Sequence, residues 1–315
     1  MITRRTMGRC FWLPPDETTK QIYEFCLALA VQKYEIDPIA WDIMSNHHHL
    51  VIYDEQGHAP AFMAYFHRLL ASAFNARWNR SEAFWSSDKP CLTLLATEED
   101  MLEKVAYALG NPIKAKLVAR IAEWPNSSYE FLDGKPRTIQ CPEEYFSPDS
   151  KVIPKTIELI AKAPPGRTFA AWATRVHEKI TEVDERAAND PSFSAMGLAE
   201  ALDTKPTPQL QKHEGKGKLR PQLACRERTL RIGSLIRLKN FRFAYEEAMR
   251  DLANDVEHVV FPMGTYRPPH KRGIVLGERN AENPERTKKH LSRIPVDDIV
   301  STAPLAQVTP LARAS

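Results

Sequence analysis

The chain has 315 residues, 43% of them hydrophobic and 26% charged, with a formal net charge of +3. That composition belongs to a folded globular protein of one large domain or two ordinary ones, and it excludes a chain disordered throughout. No apolar run approaches the ~20 residues of a membrane span, no apolar signal core precedes Pro14-Pro15, and the five cysteines form no CxxC pair, so they read as reduced thiols of a cytosolic protein.

Residues 5–13 read as a strand stopped by Pro14-Pro15. Asp16 then stands as the N-cap of a helix with an apolar stripe at Ile22, Phe25, Cys26 and Leu29. Residues 39–44 and 47–53 are short extended segments joined by a tight turn at Ser45-Asn46. Residues 59–80 read as a second helix, with Phe62, Phe66, Leu69 and Ala73 on one face. A strand over 92–96 follows, then a third helix over 98–110 opened by Thr97, and a short fourth helix over 113–123. The order β-α-β-β-α-β-α predicts an α+β fold over residues 1–140: a ferredoxin-like antiparallel sheet with helices on one face.

Beyond residue 140 the chain reads as mostly helical. Residues 141–202 form an extension with a polar helix over 156–189, and the Pro-, Lys- and Gly-rich residues 203–222 form a linker. Residues 223–270 read as a small basic helical domain patterned by Leu230, Ile232, Leu235 and Ile236, and 271–315 as a largely disordered tail. Charge follows this division. Residues 1–140 carry 15 Lys and Arg against 17 Asp and Glu, whereas residues 211–242 carry 10 against 2. So basic a block fits either a polyanion partner or a solvated linker.

Asn46-His47-His48-His49-Leu50 is the sharpest local feature. On a strand, His47 and His49 project to one face and His48 to the other, so two imidazoles can share one divalent metal. The bland alternative is a polar turn that contains histidines. Tyr107 is the second feature. On the helix 98–110, Leu102, Val105, Ala106 and Leu109 form the core stripe, while Tyr107 lies opposite with Glu103 and Asn111. An aromatic there is a second packing surface, an interface, or a phenol able to attack phosphate.

With these motifs the sequence resembles the single-tyrosine HUH transposases of the bacterial insertion-sequence and REP-associated type, HUH standing for His-hydrophobic-His. The resemblance spans roughly residues 1–130. It runs from Arg4-Arg5 through Met44–Leu50, Phe66-His67-Arg68, Asn75–Trp78, Phe84-Trp85 and Tyr107–Ile113 to Trp124-Pro125-Asn126-Ser127-Ser128-Tyr129. It implies the HUH endonuclease fold and a transposase that cleaves single-stranded DNA beside hairpins or palindromes. Tyr107 would be the nucleophile, forming a 5′-phosphotyrosine link, and His47, His49 and Asn111 would hold Mg²⁺ or Mn²⁺. Such a protein is bacterial and cytoplasmic, on the nucleoid when bound to DNA, with no membrane partner; monomer and homodimer both stay open. Arg4, Arg5, Arg68, Arg77 and Arg80 are candidate phosphate contacts, and Trp78 and Trp85 either stack bases or pack the core. Two positions depart from the family pattern: His48 replaces an apolar residue and Ser45 a proline. His48 and the acidic balance of residues 1–140 support an alternative, a domesticated DNA-binding protein without catalysis. A metal-dependent hydrolase with a water nucleophile is a third reading, which leaves Tyr107 without a role.

Overall fold

In the computed structural model the described residues are 1–146, 153–207, 222–256 and 258–265, with the backbone of 275–276. The chain runs β1 (Ile2–Arg5), α1 (Glu17–Tyr34), β2 (Asp37–Met44), β3 (His47–Tyr53), α2 (Ala59–Arg77) and β4 (Cys91–Leu92). The four strands pair antiparallel in the order β2-β3-β1-β4. This is the expected ferredoxin-like order, whose two crossovers put α1 and α2 on the same face. Local chemistry starts the helices. The Asp16 carboxylate accepts the Thr19 N–H at 2.8 Å and caps α1. Ile22, Phe25 and Cys26 of α1 pack with Phe62, Phe66 and Ala73 of α2 over Ile2, Trp41, Ile43 and Leu50 of the sheet. Each such buried large apolar side chain contributes about 1.5–3 kcal/mol.

Helices do not keep to one face. β5 (Leu94–Leu95) leads into α3 (Glu98–Leu109), capped by Thr97, whose hydroxyl accepts the Asp100 N–H at 3.0 Å. Leu102, Val105 and Leu109 of α3 form a second core with Ile39, Ala40, Met44 and Val51 on the opposite side of the sheet. The reason lies in β2, which is buried along nearly its whole length. A strand apolar on both faces needs cover on both. The free edge of β2 is covered too. Ser128 Oγ accepts the Trp41 N–H at 2.9 Å, the Asn126 carbonyl accepts the Ile43 N–H at 2.8 Å, and the Trp124 indole donates to the Ile43 carbonyl at 3.1 Å.

Four other expectations change. The strand placed at 5–13 lies earlier, because Gly8 and Arg9 take left-handed backbone (φ 62° and 53°) and turn the chain after β1. The strand at 92–96 breaks at Thr93: β4 pairs with β1, whereas β5 pairs in parallel with β8 (Leu223–Ala224). The helix at 113–123 shrinks to α4 (Asn111–Lys114), since Lys116 is left-handed (φ 57°). The helix at 156–189 begins late. β6 (Arg137–Gln140) pairs antiparallel with β7 (Thr156–Leu159), and α5 (Phe169–Ala188) starts only after Pro164-Pro165-Gly166.

The core of residues 1–140 continues into the extension. Ile157 and Leu159 join the first core, and Trp172, Val176 and Ile180 of α5 join the second. Arg175 of α5 pairs with Glu98 and Glu99, Arg167 with Glu98 at 2.8 Å, and Lys179 with Glu103 at 3.6 Å. The acids of α3 therefore meet cations supplied by the extension. After α6 (Leu198–Asp203) and β8 comes α7 (Arg228–Ala253), which leaves Ile232, Leu235 and Ile236 exposed. β9 (Val260–Phe261) pairs in parallel with β10 (Val275–Leu276). Most of the expected linker (208–221) and tail (271–274, 277–315) lies outside the described residues. Among those described, no helix is long and apolar enough to cross a membrane.

Candidate active site

Strand alternation brings His47 and His49 to the α3 face of the sheet, their ring centroids 4.9 Å apart. Both rings are fixed through Nδ1. Asn46 Nδ2 donates to the Arg9 carbonyl at 3.3 Å, which leaves its Oδ1 to accept from His47 Nδ1 at 2.7 Å. That bond sets the His47 tautomer and leaves Nε2 as the free lone pair. His49 Nδ1 bonds Thr3 Oγ1 at 2.8 Å, Thr3 being its register partner on β1. Its Nε2 is buried without a hydrogen-bond partner. Burial first, then Arg5 and Arg9, hold the His47 pKa down to about 4, and burial with the neighbouring histidines holds His49 well below the ordinary value. Two imidazoles held neutral on one face, with the His49 Nε2 buried and unpartnered, suit a divalent cation. Among the described residues no three His, Cys, Asp or Glu side chains gather as a metal-binding group. Among the described residues, a further ligand would be of another type, such as an amide oxygen.

Tyr107 faces this pair from α3. Its ring lies 5.6 Å from that of His49, edge to face, and 40% of the residue is exposed. The helical spacing placed it off the core stripe, and the fold turns that side toward the histidines of the same chain. The ammonium groups of Lys104 and Lys114 sit 5.1 and 5.2 Å from the ring centroid. Asn111 opens α4 one turn later, buried, with its Nδ2 donating to the Ala108 carbonyl at 3.3 Å and its Oδ1 not used in that bond.

Several supporting residues escaped the sequence reading. Thr3 and Asn46 orient the rings, and Lys104 lies at i−3 from Tyr107, a spacing that would have revealed it. Asp42 lies directly across from His49 on β2, fully buried, with neither carboxylate oxygen hydrogen-bonded. Burial pushes its pKa well up. A lone polar residue in the apolar run 39–44 was the available signal.

His48 points the other way. Its Nδ1 bonds Tyr23 Oη at 3.0 Å and its Nε2 bonds His67 Nε2 at 3.1 Å, all three side chains buried between the sheet and α1 and α2. The departure from an apolar residue is therefore matched by two polar partners in the layer beneath the histidine pair.

The five arginines fall into two groups. Arg5 is exposed on the face of His47, its register partner, and Arg68 is exposed on α2 with its guanidinium over the Tyr65 ring at 5.5 Å. The others are tied into the fold. Arg4 lies over Trp85 at 5.3 Å with Nε buried, Arg80 lies over Trp12 at 3.5 Å, and Arg77 grips the Asp16 carboxylate at 2.5 and 3.1 Å. Trp78 and Trp85 donate to the carbonyls of Trp12 and His67 at 3.0 and 2.8 Å and pack against the first core.

No family model and no curated protein matches this chain. One solved structure similar to part of it is that of the REP-associated tyrosine transposase bound to a REP hairpin. The two are 16% identical over 41% of this chain and 74% of that one, with a TM-score of 0.32.

Proposed function

We propose that this chain is a metal-dependent single-strand DNA transesterase of the single-tyrosine HUH type, recognising hairpin or palindromic DNA. The observation that carries the reading is the Tyr107 ring set 5.6 Å from His49, on the face where His47 and His49 both present Nε2. Tyr107 attacks the scissile phosphorus. Its oxygen forms the new P–O bond, the bond to the 3′ oxygen breaks, and the proton lost by the phenol is balanced by one gained at the leaving 3′-OH. The 5′-phosphotyrosine keeps the bond energy, so a second 3′-OH can reverse the step on a new end. Lys104 and Lys114 put positive charge beside the Tyr107 ring, 5.1 and 5.2 Å from its centroid, where the anionic phosphate must approach. His47, His49 and Asn111 would hold Mg²⁺ or Mn²⁺, which supplies charge stabilisation at the phosphate when bound.

Two features weigh against the non-catalytic alternative. His48 faces away from the histidine pair with partners of its own, and the α3 acids are paired by Arg167, Arg175 and Lys179. The hydrolase reading leaves Tyr107, whose ring lies 5.6 Å from that of His49, without a role. The test mixes the protein with labelled hairpin DNA from the flanks of its own gene, with Mn²⁺ or EDTA, on a denaturing gel. A Mn²⁺-dependent covalent band that Tyr107→Phe abolishes is expected. A band undiminished by that substitution overturns the assignment of the nucleophile, and binding without any band returns the weight to the non-catalytic reading.

A further inference from the structure

The extension does more than cover α3. Where α3 ends at Gly110, α5 runs past it with Val183 only 3.3 Å from the position a Gly110 Cβ would take. Below this contact a cavity of about 490 Å³ opens between α3, α4 and α5, with Tyr107, Ile113, Lys114, Val183, Arg186 and Phe193 in its wall. Ligand pockets run from about 300 to 1,000 Å³, so a single nucleotide is of the right order. The wall is chemically divided. Ile113, Val183 and Phe193 offer an apolar, partly aromatic surface.

The charges in the wall do not cancel evenly. Glu103 is held by Arg226 at 2.8 Å and Lys179 at 3.6 Å, Glu182 by Lys179 at 2.9 Å, and Asp190 accepts from Ser192. Lys114 and Arg186 make no ion pair with described residues, and Arg186 sits in the last turn of α5. The wall holds Lys114, Lys116, Lys179 and Arg186 against Glu103, Glu182 and Asp190, and Arg226 adds a further cation on Glu103, so the balance is positive, beside an apolar wall, next to the exposed phenol.

We infer that this cavity seats the nucleotide whose 5′ phosphate becomes joined to Tyr107, its base against Ile113, Val183 and Phe193 and its following phosphate at Lys114 and Arg186. This rests on the reading of Tyr107 as the nucleophile. The extension would then hold the covalently attached end in place until a new 3′-OH arrives, a task that a sheet face and one helix alone do not perform.

The experiment uses the full chain with methyl-labelled Ile, Val and Ala. The probes are thymidine 5′-monophosphate, an oligothymidylate of eight residues, and inorganic phosphate. The first two shift the methyl signals of Ile113, Val183 and Ala187, and phosphate does not. Arg186→Ala, a substitution at an exposed position, weakens the oligothymidylate at least threefold and lowers its salt slope by ~0.7 per lost phosphate contact. Lys114→Gln repeats the measurement should Arg186→Ala unfold. Oligothymidylate that binds without moving these methyls overturns the inference, and so do equal shifts with phosphate alone, which mean an anion site only. The covalent assay separates the two readings. An adduct formed at wild-type rate by Val183→Phe, which fills the cavity, removes the pocket and keeps the nucleophile. Methyl shifts without any adduct from the wild type remove the nucleophile and keep a nucleotide-binding cavity.

Discussion

Replacing His48 with leucine restores the apolar residue that its strand position invites, yet the structure predicts a loss of stability. His48 is fully buried and bonded to Tyr23 Oη at 3.0 Å and His67 Nε2 at 3.1 Å. His48→Leu leaves both partner atoms buried and unpaired. Each of the two orphaned groups costs about 2 kcal/mol at the middle of its range, and the added apolar burial returns about 1.5, for a net loss centred on about 2.5 kcal/mol. On the scale of domains this large, the melting temperature falls by about 5–10 °C. Urea unfolding followed by circular dichroism measures it. The triple variant Tyr23→Phe, His48→Leu, His67→Leu removes all three polar groups together and should recover to within about 1 kcal/mol of the wild type. Because His48 faces away from His47 and His49, the folded single variant should keep metal-dependent adduct formation within a few-fold. A single variant as stable as the wild type, or a triple variant as weak as the single, refutes the reasoning.

Other predictions concern charge. Lys104→Ala or Lys114→Ala should each slow adduct formation about two- to five-fold, the worth of an exposed cation beside an aromatic ring, measured in single-turnover time courses. Arg77→Ala should cost about 1.5–3 kcal/mol of stability by freeing the Asp16 cap, with no change in the salt dependence of DNA binding. Arg5→Ala should do the reverse, lowering the single-strand salt slope by ~0.7 at unchanged stability. Burial pushes the Glu24 carboxyl from 4.5 up to about 8, so its contribution is full below pH 4.5 and lost as pH rises through 8. Burial holds His67 well below 6.5, so its contribution is present above pH 6.5 and lost as pH falls. Denaturation midpoints across pH 4–9 should therefore show two limbs: Glu24→Gln flattens the alkaline one, and His67→Leu reduces the acid one, which the buried His47, His48 and His49 share.

Features set by near neighbours in the chain were legible in the sequence. Asp16 and Thr97 cap helices through a residue three positions on, and Ser45-Asn46 turns between two apolar runs. Strand alternation was enough to put His47 and His49 on one face, and helical spacing was enough to set Tyr107 apart from the core stripe. What escaped depends on distant parts of the chain. Thr93 divides one apolar run into two strands because β8, far along the chain, captures the second half. His48 looked anomalous because its partners come from two different helices. Arg4, Arg77 and Arg80 read as free cations until the fold supplied Trp85, Asp16 and Trp12. The second helical layer was implicit in β2, whose residues 38–44 are apolar on both faces apart from Asp42.

The central claim is that Tyr107 works against the histidine pair of its own chain. One denaturing gel tests it, with labelled hairpin DNA and Mn²⁺ in lanes of wild type, Tyr107→Phe, the double variant His47→Ala, His49→Ala, and an equimolar mixture of the two variants. A covalent band in the wild type alone, absent from both variants and from their mixture, is the predicted result. A band restored in the mixture contradicts the account, because it would place the tyrosine of one chain at the histidines of another.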